Sequence, residues 1–227
     1  MTGQERPNKA DQAYNQLEEM ITFQELPPGA MLSESRLMQV TDLGRTPVRE
    51  ALQRLAREGM VEIHPSRGVF VSPITVEAQF KLLELRRPVE ELAVRLAAQR
   101  ADPDQRAEMY ELADRFIQFE GADLKAFGDY LKRAHRVTVR AAGNEYLLMA
   151  MAPLQGLSRR FWFGQLRDPA AELSLAAELH DNVLRPIGDA DPDRASKASL
   201  ALNDYLVEFA YATLKRPRSH IRDDRSA

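Results

Sequence analysis

Two arginines in the N-terminal part of the chain form the most informative side-chain pattern. Arg45 and Arg49 are about one helical turn apart, so a helix through this segment presents both forked guanidiniums on one face, where they can bind a guanine edge or a phosphate. Thr46 can donate its hydroxyl to a phosphate near the helix N-terminus, where the dipole also favours an anion. Farther along, Arg67 and Gly68 combine a cation with a residue that permits close backbone approach. These groups favour nucleic-acid recognition.

The surrounding sequence predicts the elements that would position these side chains. Pro47 suits the first position of a helix capped by Thr46, because a proline nitrogen has no hydrogen to leave unpaired there. Gly59 can adopt the left-handed conformation just past the end of that helix. Helix, helix, turn, helix and hairpin in this order are typical of a winged helix-turn-helix. The predicted elements are helices from Lys9 to Thr22, from a Ser33 cap through Val40 and from Thr46 to Gly59, then a hairpin of Val61 to His64 and Val69 to Ser72.

A plainer interpretation treats these arginines as an ordinary solvated helix face. Arg45, Arg49 and Arg54 would then be balanced by neighbouring acids such as Glu50 and Glu58. For the three arginines taken in isolation, this interpretation is the favoured one.

The order of residues around the arginines argues for the first interpretation. The segments that carry it are Glu34–Met38, Arg45–Leu55, Glu58–Val61 and Arg67–Val71. Together they closely resemble the GntR family of winged-helix regulators, whose motif reads R-T-P-V-R-E-A-L, then L-x-x-E-G-L-V, then R-G in the wing. The resemblance covers about Ala13 to Pro73. It implies that Arg45, Thr46 and Arg49 contact DNA, with Gly68 at the wing; Gln53 and Arg67 are further candidates.

The first helix of the motif departs from that family in two places. Ser35 stands where many relatives carry an arginine, and Arg36, one position later, points about 100° around the helix. Arg36 therefore remains a candidate contact without being a direct replacement. Asp42 stands at the customary turn glycine, which is tolerable because aspartate enters unusual backbone conformations more readily than most residues.

From Thr75 onward the sequence predicts only helices, so the fold class is mainly α: a winged helix-turn-helix followed by a bundle of about six helices. The predicted domains are a DNA-binding head (residues 1–73), a linker (74–78), a helical domain (79–215) and a polar, disordered tail (216–227). The predicted helices of the bundle are Val76 to Ala101, Pro103 to Phe119, Asp123 to Ala142, Tyr146 to Phe163, Pro169 to Ile187 and Asp191 to Leu214.

Two segments of the helical region, Glu84–Ala98 and Ala141–Leu147, resemble the FCD effector domain of the FadR-like subgroup, over about Val76 to Leu214. The resemblance implies a dimerising bundle with a pocket for a small carboxylate, often beside a bound metal. It also implies that the side chain of Arg86 points toward the pocket. The alternative, which the helix pattern supports equally, is that Arg86 lies in solvent beside Glu84 or Glu90. Phe161 and Trp162 are candidates for the pocket wall, although aromatic residues at helical spacing are more often core.

The metal site implied by that resemblance is incomplete. Relatives use an aspartate, a histidine four residues later, a second histidine at the start of a later helix and a third about twenty-two residues beyond. Matching positions here are Leu131, His135, His180 and either Leu202 or Asn203. We therefore predict no tightly held metal: His135 and His180, with Asn203, would bind an acidic effector beside Arg86 or hold a divalent ion only weakly.

Composition restricts the function less than the motifs do. The net charge is −3, and acids outnumber bases even in residues 1–72, so bulk charge does not indicate a nucleic-acid binder. The absence of cysteine excludes disulfides, thiolate nucleophiles and cysteine-based zinc sites. No signal peptide is evident, and the longest apolar stretch, Tyr146 to Pro153, is far too short to cross a bilayer. We therefore expect a cytoplasmic protein without a membrane partner.

Three functions remain open at this stage. The first is a homodimeric regulator that binds a pseudo-palindromic operator in double-stranded DNA and responds to a small carboxylate in the helical domain. The second keeps the DNA-binding head but makes the helical domain a dimerisation device only. The third, a metal-dependent enzyme built on His135 and His180, is disfavoured because the sequence has no nucleophile elbow, phosphate loop or H-E-x-x-H motif.

Overall fold

The computed structural model describes residues 8–214, which form two packed regions and confirm the predicted mainly α fold. The N-terminal region, here called the head, contains three helices and a small sheet. A second region of six helices, here called the bundle, follows it. The elements of the head are α1 (Lys9–Thr22), β1 (Met31–Leu32), α2 (Glu34–Thr41), α3 (Arg45–Arg57), β2 (Val61–His64) and β3 (Gly68–Val71).

The head is built on the apolar face of α3. Val48, Ala51, Leu52 and Leu55 recur at helical spacing and are buried against α1 and α2, leaving the polar face of α3 in solvent. The hairpin of β2 and β3 forms the wing. It is extended by β1, which pairs antiparallel with β3, giving the strand order β1-β3-β2. The sequence-based prediction missed β1, because a two-residue strand is too short to show a period.

One predicted cap is wrong and one unusual turn is confirmed. Helix α3 begins at Arg45 with Gly44 as its N-cap, so Thr46 lies inside the first turn and does not cap the helix. Asp42 adopts the left-handed conformation after α2, with a φ of 53°. This is the conformation expected at a position where relatives carry a turn glycine. Gly59 likewise has a positive φ, 76°, just past α3.

The bundle begins at Val76, within the segment predicted as a linker, and its six helices agree closely with the predicted ones. One large apolar core fills the space between them, and the head has a separate smaller core. None of the helices in residues 8–214 combines the length and apolar character needed to cross a membrane. The predicted polar tail lies outside the described residues. The helices are α4 (Val76–Arg100), α5 (Pro103–Ile117), α6 (Leu124–Ala141), α7 (Glu145–Gln165), α8 (Pro169–Gly188) and α9 (Pro192–Leu214).

The head packs directly on the bundle: α1 contacts α7, and ion pairs join it to α6. Phe23, which follows α1, contacts Phe163 of α7 with ring centroids 4.8 Å apart. The buried Arg160 donates from Nη2 to the carbonyl oxygen of Ser72, at 2.5 Å. These contacts hold the segment between wing and bundle against α7.

Candidate nucleic-acid interface and buried cavity

The N-terminal end of α3 is open and exposed. The side chains of Arg45 and Arg49 are 71% and 63% exposed, and Thr46 and Gln53 are exposed as well. Gly44 supplies no side chain to cap the first amides, and the first turn of α3 carries no acid. Free amides, the helix dipole and two guanidiniums therefore converge where an anion such as a DNA phosphate can bind.

The two arginines are held beside each other by Glu34, at the start of α2. Glu34 Oε1 lies 3.1 Å from Arg49 Nε, and Glu34 Oε2 lies 3.8 Å from Arg45 Nε. Exposed ion pairs of this kind are worth about 0 to 1 kcal/mol. Glu34 therefore orients the guanidiniums without preventing a phosphate or base from replacing it.

Arg54 has a different role, because its contacts lie inside the head. Its guanidinium lies 3.6 Å above the ring of Tyr14, and its Nε lies 3.1 Å from Glu58 Oε1. Tyr14 donates its hydroxyl to Glu58 at 2.6 Å, and burial, reinforced by this carboxylate, raises the pKa of Tyr14. The interpretation of a salt-bridged helix face thus describes Arg54 and Glu58, whereas Arg45 and Arg49 pair with neither Glu58 nor Glu50.

The remaining candidate DNA contacts lie on other elements of the head. Arg36 is exposed in the first turn of α2, and it forms no ion pair within residues 8–214. Arg67 is exposed at the tip of the wing, next to Gly68, whose φ of +99° and lack of neighbouring atoms match a tight, accessible turn. The contacts of all these residues with DNA remain predictions.

A small cavity inside the bundle brings together three of the four predicted effector residues. Arg86 of α4, His135 of α6 and His180 of α8 line it, in a volume of about 30 Å³. Trp162 also forms part of the wall and donates its indole N–H to Tyr205 at 2.8 Å.

Arg86 forms a buried, bidentate ion pair with Glu90, one turn along α4. The distances are 2.9 Å from Nε to Oε2 and 3.1 Å from Nη2 to Oε1, and the two side chains are only 4% and 7% exposed. Asn203, the fourth predicted residue, donates from Nδ2 to Glu90 at 2.9 Å. Burial alone would raise the pKa of Glu90, but Arg86 and Asn203 more than offset it and hold that pKa below its usual value. Of the partners suggested for a solvated Arg86, Glu90 is the right one. The pair is buried, however, so the solvated environment is wrong.

Both histidines are neutral at pH 7. Burial lowers the pKa of His180 to about 4 and that of His135 well below its usual value. His180 Nδ1 lies 2.7 Å from the carbonyl oxygen of Ala176, which can only accept, so Nδ1 carries the proton and Nε2 is an acceptor. Neither ring nitrogen of His135 has a hydrogen-bond partner in the described part of the chain, so His135 can still offer one donor and one acceptor.

The residues around the histidines do not fit the family's metal site. Leu131 and Leu202 line the cavity beside both imidazoles, at the positions where relatives supply an aspartate and a third histidine. Glu90, which lines a neighbouring cavity together with both histidines, is already held by Arg86. Within residues 8–214 no group of three or more histidine, aspartate or glutamate side chains could hold an ion.

We expect the purified protein to retain only substoichiometric metal after extensive dialysis, because two neutral imidazoles make a weak and open site. Elemental analysis of the dialysed full-length chain measures this. A stoichiometric ion whose retention is lost in both His135→Ala and His180→Ala would contradict the prediction.

Sequence reasoning missed several polar residues around the cavity. Ser158 accepts from Arg86 at 2.8 Å and from Gln79 at 3.1 Å. Arg159 lines the cavity next to it. The signal was present, since Arg159 and Arg160 are two adjacent cations in an otherwise apolar stretch of α7, where buried charges require partners.

Comparison with known families and structures agrees with this architecture. Residues 9–71 match the family model described as bacterial regulatory proteins of the gntR family, and residues 81–204 match the FCD domain. A solved structure described as Escherichia coli McbR/YncC superposes with a TM-score of 0.77 at 21% identity, covering 92% of this chain and all of the other. That likeness supports the fold.

Two curated relatives carry the resemblance at the level of sequence. The Nta operon transcriptional regulator of Aminobacter aminovorans is 31% identical over 177 residues, covering 77% of this chain and 81% of the relative. A transcriptional regulator of the helix-turn-helix type in an unstable DNA locus of Streptomyces ambofaciens is 32% identical over 187 residues, covering 78% and 76%. With its winged head, its open α3 and its helical bundle, this chain belongs to the GntR family of DNA-binding transcriptional regulators with an FCD domain.

Proposed function

We propose that this regulator acts in the cytoplasm as a homodimer on a pseudo-palindromic operator, and that a small hydroxy acid in the bundle cavity changes its affinity for DNA. The observation that carries the DNA-binding part is the exposed pair Arg45 and Arg49 at the uncapped start of α3. In a helix-turn-helix this helix enters the major groove, and its first residues contact base edges.

Two features support the homodimer. One head of this size contacts too few base pairs for the affinity of an operator-specific regulator, whereas two heads double the contacts. Leu85 and Leu92 lie two turns apart on α4, and they are 55% and 47% exposed. Large apolar side chains on one exposed helix face are suited to burial against a second copy of that face.

The chemistry of the cavity supports a hydroxy acid as the effector. Two guanidiniums, from Arg86 and Arg159, line the cavity and favour a carboxylate. His180 offers only the acceptor Nε2, which a hydroxyl can donate to and a carboxylate cannot. We propose a regulatory role for this cavity, since the matched gntR family model and the curated relatives describe transcriptional regulators.

We expect footprinting on an operator selected from random DNA to show two protected half-sites, with centres about one helical turn of DNA or a multiple of it apart. Native mass spectrometry of the same preparation should give the mass of two chains and identify any acid that co-purifies. Protection of a single asymmetric half-site by a monomer at full affinity would contradict the proposal.

The same footprint, repeated with and without the acid that co-purifies, tests whether the bundle responds to an effector or only dimerises. A change in the protein concentration that gives half protection supports effector control through the bundle. Identical concentrations would leave the bundle as a dimerisation device only.

A further inference from the structure

A buried carboxylate joins the head to the bundle. Glu18, on α1, is 2% exposed and forms ion pairs with two cations of the bundle. Its carboxylate oxygens lie 2.6 Å from Arg159 Nη2 of α7 and 2.5 Å from Lys132 Nζ of α6. Burial would raise the pKa of Glu18, but Arg159 and Lys132 outweigh it, so the pKa lies below its usual value and the carboxylate stays charged. One anion thus faces two cations at the junction between the regions.

Arg159 is shared between this junction and the effector cavity. Its side chain lines the cavity together with Arg86, His135 and His180, while its Nη2 reaches Glu18 on the other side. Its Nε is buried and has no hydrogen-bond partner among the described residues. An unpaired buried N–H of a cation is costly, so this group would gain from an acceptor in the cavity.

Arg86 is less available to an incoming anion. Glu90 already binds two of its nitrogens and Ser158 a third, so its charge is balanced inside the protein. Arg159 has a buried Nε without a partner, and within residues 8–214 it shares the one carboxylate that it contacts with Lys132. If the guanidinium turns toward a carboxylate in the cavity, Lys132 remains to pair with Glu18.

We propose that Arg159 binds the carboxylate of the effector in competition with Glu18, so that occupation of the cavity loosens the attachment of α1 to the bundle. This inference rests on the proposed function, since it assumes an acid in the cavity. It adds the binding residue and the route by which the acid reaches the DNA-binding head. Phe23 against Phe163 would remain as the apolar part of the contact.

Formate, the smallest carboxylate, is a suitable probe for a cavity of about 30 Å³. Trp162 is the one tryptophan of the chain and lies on the cavity wall, so its indole N–H gives a single NMR signal that reports on occupancy. Full-length protein is titrated with sodium formate, with sodium chloride at equal ionic strength as the reference. We expect Glu18→Gln to bind formate about tenfold more tightly than the wild type, because the competing carboxylate is gone.

Glu108→Gln is the matched control. Glu108 also forms ion pairs with two cations, Arg133 and Arg140, yet it lies on α5 and does not line the cavity. We expect its formate affinity to equal that of the wild type. Arg159→Gln should weaken formate binding at least about tenfold. If Glu18→Gln fails to fold, hydrogen exchange on the wild type decides: saturating formate should speed exchange in α1 and leave α5 unchanged.

The outcomes separate this inference from the proposed function. Equal formate affinity in the wild type and Glu18→Gln would overturn the competition while leaving an acid site in the cavity. No shift of the Trp162 signal in either protein would overturn both the competition and the acid site. Whether the protein binds an operator in the absence of any acid is decided separately, by the footprint.

Discussion

Arg49→Ala is expected to weaken operator binding by about 1 to 3 kcal/mol and to relax the preference for one base pair in each half-site. The reason is geometric. Arg49 lies on the first turns of α3, the part of the helix that reaches base edges, and its guanidinium is held only by an exposed pair with Glu34. Removing the side chain would delete the bidentate contact that we expect with a base, without disturbing the buried face of α3.

Fluorescence anisotropy with the selected operator, and with variants at each position, measures both effects. Arg57→Ala is the matched control, since Arg57 is an exposed arginine at the other end of α3. We expect this control to change affinity far less than Arg49→Ala. If Arg49 instead binds phosphate, all sequences will weaken equally and the salt slope will fall by about one. Unchanged affinity would mean that Arg49 is a solvated residue that makes no contact with DNA.

Arg86→Met is expected to lower the free energy of unfolding by about 3 to 5 kcal/mol, because it leaves the Glu90 carboxylate buried without its cation. Methionine keeps much of the volume and apolar character of the arginine stem, so a cavity contributes little. Urea denaturation at pH 7 measures the loss. A loss similar to that of an exposed ion pair would contradict the buried pair of Arg86 and Glu90 seen on α4.

The loss should shrink as the pH falls. In the wild type the folded pKa of Glu90 is lowered, so its contribution to stability is present above the unfolded pKa and disappears as the pH drops through the folded pKa. In Arg86→Met, burial without Arg86 raises the folded pKa above the unfolded one, so the variant gains relative stability when Glu90 is protonated. We expect the difference from the wild type to be smaller at pH 5 than at pH 7.

Two further variants test whether charge is the cause. The double variant Arg86→Met with Glu90→Gln should recover a large part of the lost stability, because neither position of the pair then carries a buried charge and Asn203 still has an amide to pair with. Lys81→Met breaks the exposed pair of Lys81 with Glu77, also one turn apart on α4, and should leave stability nearly unchanged. Equal losses in Arg86→Met and the double variant would point to packing instead.

The sequence by itself determined the elements of this protein and the exposed position of most of its candidate DNA-contact residues. Helix periodicity, the Ser33 cap and the turn residues Asp42 and Gly59 are local signals, because a helix is specified by neighbours three or four residues away. The amphipathic pattern of α3 likewise determined which face is buried and left Arg45 and Arg49 in solvent.

Tertiary structure decided how the buried charges are paired. Arg86 and Glu90 are one turn apart, yet only the packing of other helices on α4 buries the pair, and α9 adds Asn203, 113 positions from Glu90 along the chain. Arg159 reaches Glu18 across 141 positions, because α1 of the head docks on α7. Periodicity shows that a side chain faces inward; which charge meets it there depends on how distant helices pack, and low dielectric then makes that pairing decisive for stability.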